Sequence, residues 1–76
     1  MTRTEFTDGL RRTLEWPDLA EDTELKGNER WDSLAQVDVV MFAQDELGYT
    51  LSTGDLQAAR TFGDVLRLLE PQLTPS

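Results

Sequence analysis

Apolar residues recur at three- and four-residue intervals in separate stretches of the chain, with polar connections between them, and the pattern predicts helices rather than strands. Phe6, Leu10 and Leu14 stand four apart on one stripe, behind Thr2 and Glu5 in capping-box spacing. They form a first helix that ends before Pro17, because the residue ahead of a proline is biased away from helical backbone. From Pro17 to Trp31 the chain is polar, with Leu19 and Leu25 as isolated apolar anchors and Lys26-Gly27-Asn28 as a turn. A connection this long in a small domain is either held down by its anchors or serves a function. Ser33 to Leu47 is rich in apolar residues and is closed by Gly48, which suits a helix C-terminus. Ser52 with Asp55, and Thr61 with Asp64, repeat the capping spacing ahead of Leu56-Gln57-Ala58-Ala59 and of Val65 to Leu69. Pro71 stops the last of these helices, and residues 71–76 are expected to fray. Only Tyr49 to Leu51 has any strand character. The expected fold is all-α: a four-helix bundle with a short third helix and a long loop between the first and second.

Length and charge narrow the possible functions. Seventy-six residues make one domain, at the size where a single core only just suffices. An enclosed catalytic cavity is hard to build in so short a chain, so a non-enzymatic role is expected. Cys and His are both absent, which removes disulfides, thiol nucleophiles, thiolate metal sites and the usual proton shuttle. Seven basic residues against fifteen acidic ones give a formal charge of −8, the wrong sign for a nucleic-acid backbone or an anionic membrane. Basic protein partners are favoured instead. From Glu15 through Asp55 the only basic residues are Lys26 and Arg30, so the middle of the chain is its acidic part. No apolar leader follows Met1 and no stretch has the length to span a bilayer, and the expectation is a cytoplasmic monomer.

On a helical wheel of the second helix, Val39, Val40, Ala43 and Leu47 share one arc that a bundle would bury. Leu34, Val37 and Met41 share another arc with Asp38 and Asp45. A purely structural helix needs one apolar stripe. The second stripe either packs under the Pro17 to Trp31 loop or forms a docking surface for something basic with an apolar centre. Ser33 is open to two readings as well. A Ser at a helix start is ordinarily a cap, and Ser33 with Gln36 has capping-box spacing. Asp32 can cap the same helix, however, and then leaves the Ser33 hydroxyl exposed at the first helical position, where the helix dipole would tolerate a phosphate diester. Catalysis by Ser33 itself is excluded, because no His is available as base.

In this setting the chain resembles the acyl carrier protein family. The matching residues are Asp32-Ser33-Leu34, Val37, Asp38, Val40 and Met41, then Glu46-Leu47-Gly48, Leu51, Leu56 and Thr61-Phe62-Gly63-Asp64-Val65, together with the order and lengths of the four helices. The resemblance implies a single carrier domain over residues 1–76, with a helical core of about 2–70. It also implies that Ser33 receives 4'-phosphopantetheine from coenzyme A through a phosphopantetheinyl transferase. The arm would supply the thiol this chain lacks, and acyl or aminoacyl groups would ride on it as thioesters between loading and downstream biosynthetic enzymes. Leu34, Val37 and Met41 would be the apolar docking contacts, Asp38 and Asp45 would face basic residues of those enzymes, and Asp32 would cap the helix. The chain departs from fatty-acid carriers at Ala35 and Gln44, where acids are usual, and at Trp31, and Glu29-Arg30 replaces the Gly-Gly of many peptidyl carriers. These departures point towards a dedicated polyketide, nonribosomal-peptide or modified-saccharide pathway. Trp31 either shields the arm, marks a partner surface or anchors the loop, and Trp16 is a core or loop anchor. Without the arm, the same surface describes an unmodified acidic adaptor that binds one partner through the second helix.

Overall fold

A computed structural model describes residues 1–74. Helices α1 (Arg3–Thr13), α2 (Ser33–Leu47), α3 (Thr53–Ala58) and α4 (Phe62–Leu69) follow in order, and a 3-10 turn spans Glu70–Gln72. The fold is all-α. Among the described residues there is no strand, and Tyr49 to Leu51 is irregular; only isolated bridges pair Glu24 with Thr61 and Thr2 with Thr74. Among the described residues no helix is long and apolar enough to cross a membrane.

Each helix begins on the residue its sequence offers as a cap. The Thr2 hydroxyl accepts from the Glu5 N–H at 3.1 Å, and the Glu5 carboxylate accepts from the Thr2 N–H at 2.9 Å, a complete capping box for α1. Ser52 caps α3 by accepting from the Asp55 N–H. At α4 the Asp64 carboxylate accepts from the N–H groups of Arg60 and Thr61. The helices stop differently. Gly48 takes up left-handed backbone at φ 65° and donates its N–H to the Gln44 carbonyl at 3.0 Å, closing α2. After α1 the left-handed residue is Glu15, at φ 52°, while Trp16 N–H reaches the Arg11 carbonyl and Glu15 N–H the Arg12 carbonyl. That pair of bonds is the Schellman ending, made here without its usual glycine.

The long connection between α1 and α2 is folded into the molecule by its anchors and its backbone. Leu19 and Leu25 are fully buried. The N–H groups at the start of α4, Phe62 and Gly63, donate to the carbonyls of Thr23 and Glu21, and Leu25 N–H donates to Arg60. The loop thus satisfies donors that a helix start leaves without intrahelical partners. Arg11 Nε holds the Leu19 carbonyl at 2.7 Å from the α1 side. Chain compaction agrees, with a radius of gyration of 11.0 Å against about 11 Å expected for a folded domain of this length.

Phe6, Leu10, Val39, Leu56, Phe62, Val65 and Leu69 form the closed centre, flanked by Trp16, Trp31, Ala35 and Ala43. Phe42 of α2 meets Phe6 of α1 edge to face at 5.2 Å between ring centroids. The ring fits because residue 9 is glycine: a Cβ there would lie 2.3 Å from Phe42 Cζ. The chain after Pro71, where fraying was expected, makes the 3-10 turn, and Thr74 N–H then donates to the Met1 carbonyl at 2.9 Å. The remainder of that expected tail, residues 75–76, lies outside the described residues.

Candidate functional site

Asp32 is the cap of α2. Its Oδ1 accepts from the Ala35 N–H at 2.9 Å, and its carbonyl accepts from the Gln36 N–H at 3.1 Å. The cap is made without Ser33, which sits exposed as the first helical residue. Gln36, the other half of the alternative capping box, is turned into the protein and only 9% exposed. The geometry therefore resolves the two capping options in favour of Asp32.

From that end an unpartnered stripe runs down α2. Leu34 is 75% exposed, Met41 57% and Val37 45%, and the remaining large exposed apolar residue among those described, Leu68, lies on α4. Single exposed apolar residues are ordinary, but three on one helix face form a patch. Leu34, Asp38, Met41 and Asp45 succeed one another at four-, three- and four-residue steps, which lines them up along the axis. Asp38 is half-buried and Asp45 exposed. The loop does not cover this stripe, so the packing alternative for Leu34, Val37 and Met41 is excluded. The opposite side of α2 buries Val39 and Ala43 and half-buries Val40 and Leu47, as the wheel required, with Ala35 and Gln36 added at the first turn. α2 carries acids at 38, 45 and 46 and no basic residue, and the ion pairs Arg3–Glu21, Arg11–Asp8 and Arg67–Asp64 all lie elsewhere.

The two tryptophans are anchors. Trp31 is 8% exposed, and its indole N–H is buried with no partner among the described residues, so it contributes bulk and not a polar contact. Trp16 is buried beneath Arg30, whose guanidinium carbon stands 5.8 Å from the ring centroid. This cation–π contact joins two loop residues and has no periodic signature in the sequence; its only advance signal was that Arg30 is one of two cations in the acidic middle. Arg30 also lines a surface depression of about 360 Å³ beside the start of α2, with Leu14, Glu15, Asp32, Leu34 and Asp38 around it. Between the helices, Leu51, Phe62 and Val65 are closed core, with Val40 at its margin.

Chemically, the site offers an exposed primary hydroxyl at the start of α2, an open depression lined by its sequence neighbours Asp32 and Leu34, and an apolar, acidic face leading away from it. No family model matches the chain, and no curated protein or solved structure matches it.

Proposed function

We propose that this chain is a discrete acyl or aminoacyl carrier of the acyl-carrier fold type, with 4'-phosphopantetheine joined to Ser33. The observation that carries the reading is a helix-start hydroxyl that the cap does not use, at the head of a stripe made of exposed Leu34, Val37, Met41 and Asp45 with half-buried Asp38 among them. Ser33 suits the arm because its hydroxyl is exposed, and because the N-terminal end of α2 favours a negatively charged substituent. In attachment, Ser33 Oγ bonds to the phosphorus nearest the pantetheine of coenzyme A and displaces adenosine 3',5'-bisphosphate, its proton passing to the transferase. The arm supplies a terminal thiol that holds acyl groups as thioesters. Asp32 keeps the first turn of α2 formed so that Ser33 is presented in one orientation. The stripe meets the transferase, the loading enzyme and downstream enzymes of a dedicated biosynthetic pathway through their basic patches, and its acids speed encounter more than they tighten the complex.

The test is intact mass after incubation with coenzyme A and a broad-specificity phosphopantetheinyl transferase. Wild type is expected to gain one phosphopantetheine and Ser33→Ala none. No gain on wild type, or equal gain on both, rejects the carrier and leaves the unmodified adaptor.

A further inference from the structure

A thioether occupies the middle of the α2 stripe. Met41 is 57% exposed and stands on one line with Asp38, three residues before it, and Asp45, four after it. The chain has no Cys, and its other methionine, Met1, is half-buried and packed against the core. Met41 thus carries the more accessible sulfur. Oxidation to the sulfoxide turns a flexible apolar side chain into a polar one. The bundle loses little by it, because α2 is anchored through Val39 and Ala43 on its other side. A partner loses more, because the apolar centre of its contact would then bury a polar oxygen. Asp38 and Asp45 can only accept hydrogen bonds and Val37 offers no polar group, so Gln44 is the one side-chain donor a turn away along α2.

Resting on the carrier reading, we infer that Met41 is a reversible oxidation site at which a peroxide switches the α2 face from a docking to a non-docking state. In the step, one oxygen of hydrogen peroxide bonds to Met41 Sδ as the O–O bond breaks. The sulfur gives up two electrons, and the second oxygen leaves as water with both peroxide protons. Return to the thioether takes a dithiol through the stereospecific methionine sulfoxide reductases, giving a disulfide and water. The response needs no cysteine of the chain and leaves the Asp32 cap of α2 as it is.

The experiment treats the arm-free chain with hydrogen peroxide, because the thiol of the arm would itself react, then removes the peroxide and follows oxygen and arm by mass. Peptide mapping should place the added oxygen on Met41 several-fold faster than on Met1. With coenzyme A and the phosphopantetheinyl transferase, the oxidised chain should show a KM about tenfold higher at nearly unchanged kcat, towards the low end of what a buried polar group without a partner costs. The reductases should bring KM back, and the melting temperature should hold throughout. Met41→Gln should sit near the oxidised chain, and Met41→Leu, whatever its own KM, should keep it after peroxide. Oxygen on Met1 ahead of Met41, an oxidised Met41 that leaves KM unchanged or melts the bundle, or an equal peroxide effect on Met41→Leu overturns the inference while leaving the carrier intact. Failure of the untreated chain to gain the arm, seen first by mass, overturns both.

Discussion

At the first turn of α2 two adjacent side chains have separable jobs, and stability measurements can tell them apart. Asp32 makes the capping bond and Ser33 does not. Removing a capping side chain costs about 1 kcal/mol, so Asp32→Ala should lower the unfolding free energy by about that amount and Asp32→Asn should restore most of it. Ser33→Ala should stay within about 0.5 kcal/mol of wild type, as exposed substitutions do. A Ser33→Ala loss equal to that of Asp32→Ala would mean that the hydroxyl belongs to the cap after all. Glu15 offers the converse case. It holds left-handed backbone, which costs a residue bearing a Cβ about 1–2 kcal/mol, while glycine gives back about 0.5–1 kcal/mol in chain entropy. Glu15→Gly is therefore expected to stabilise by about 0.5 kcal/mol, seen as a higher denaturant midpoint at unchanged slope; a lower midpoint would show that the Glu15 side chain contributes more than its backbone strain removes. The capping residues were legible because they act on neighbours three or four positions away. The Arg30–Trp16 contact was not, because it depends on how an aperiodic loop folds back.

Among the elements, α2 is apolar on two sides, and only one of them has a partner inside the molecule. The wheel separated the two arcs correctly but left open whether the loop covered the second. That depended on where Leu19 and Leu25 drew the loop, and the backbone bonds to the start of α4 take it there. Charge on the open face should act through encounter. Reversing one charge about 8 Å from a partner cation in water changes the interaction by about 1 kcal/mol, so Asp38→Lys and Asp45→Lys should each slow modification by the transferase about fivefold at low salt. Both effects should fade at high salt while the melting temperature holds. A salt-independent loss, or unfolding by Asp45→Lys, would assign the acids to structure. At the helix starts, backbone N–H donors hold two carboxyls below their ordinary pKa: Glu5 through Thr2, with its hydroxyl assisting, and Asp64 through Arg60 and Thr61. A depressed folded pKa contributes stability that is present above the unfolded value of about 4 and is lost as pH falls through the lower folded one. The acid limb of a pH–stability curve should consequently flatten in Asp64→Asn, and an unchanged limb would show that the α4 start does not carry it.

Across the whole molecule, the packing of α1 on α2 turns on a single absent methyl group. Gly9 lies in the middle of α1, where alanine would ordinarily be better by about 1 kcal/mol through helix propensity alone. The Phe42 ring occupies the space that its Cβ needs, with Cζ at 2.3 Å and both Cε atoms near 3.1–3.2 Å, and the ring is braced edge-on by Phe6. Overpacking of this kind costs about 1–3 kcal/mol, so the clash should outweigh the propensity gain and Gly9→Ala should destabilise the protein by about 1 kcal/mol. Sequence periodicity had no means of showing this, since a glycine inside a helix looks like a weak position until the neighbour that fills it is known. A double-mutant cycle isolates the contact: in a Phe42→Leu background the ring is gone, and Gly9→Ala should there become neutral or stabilising, with a coupling of at least about 1 kcal/mol. Chemical denaturation of the four proteins gives that number. If Gly9→Ala instead stabilises the wild-type background by the full helical increment, the half-buried Phe42 ring yields to the added methyl group, and its contact with Gly9 does not fix how α1 packs on α2.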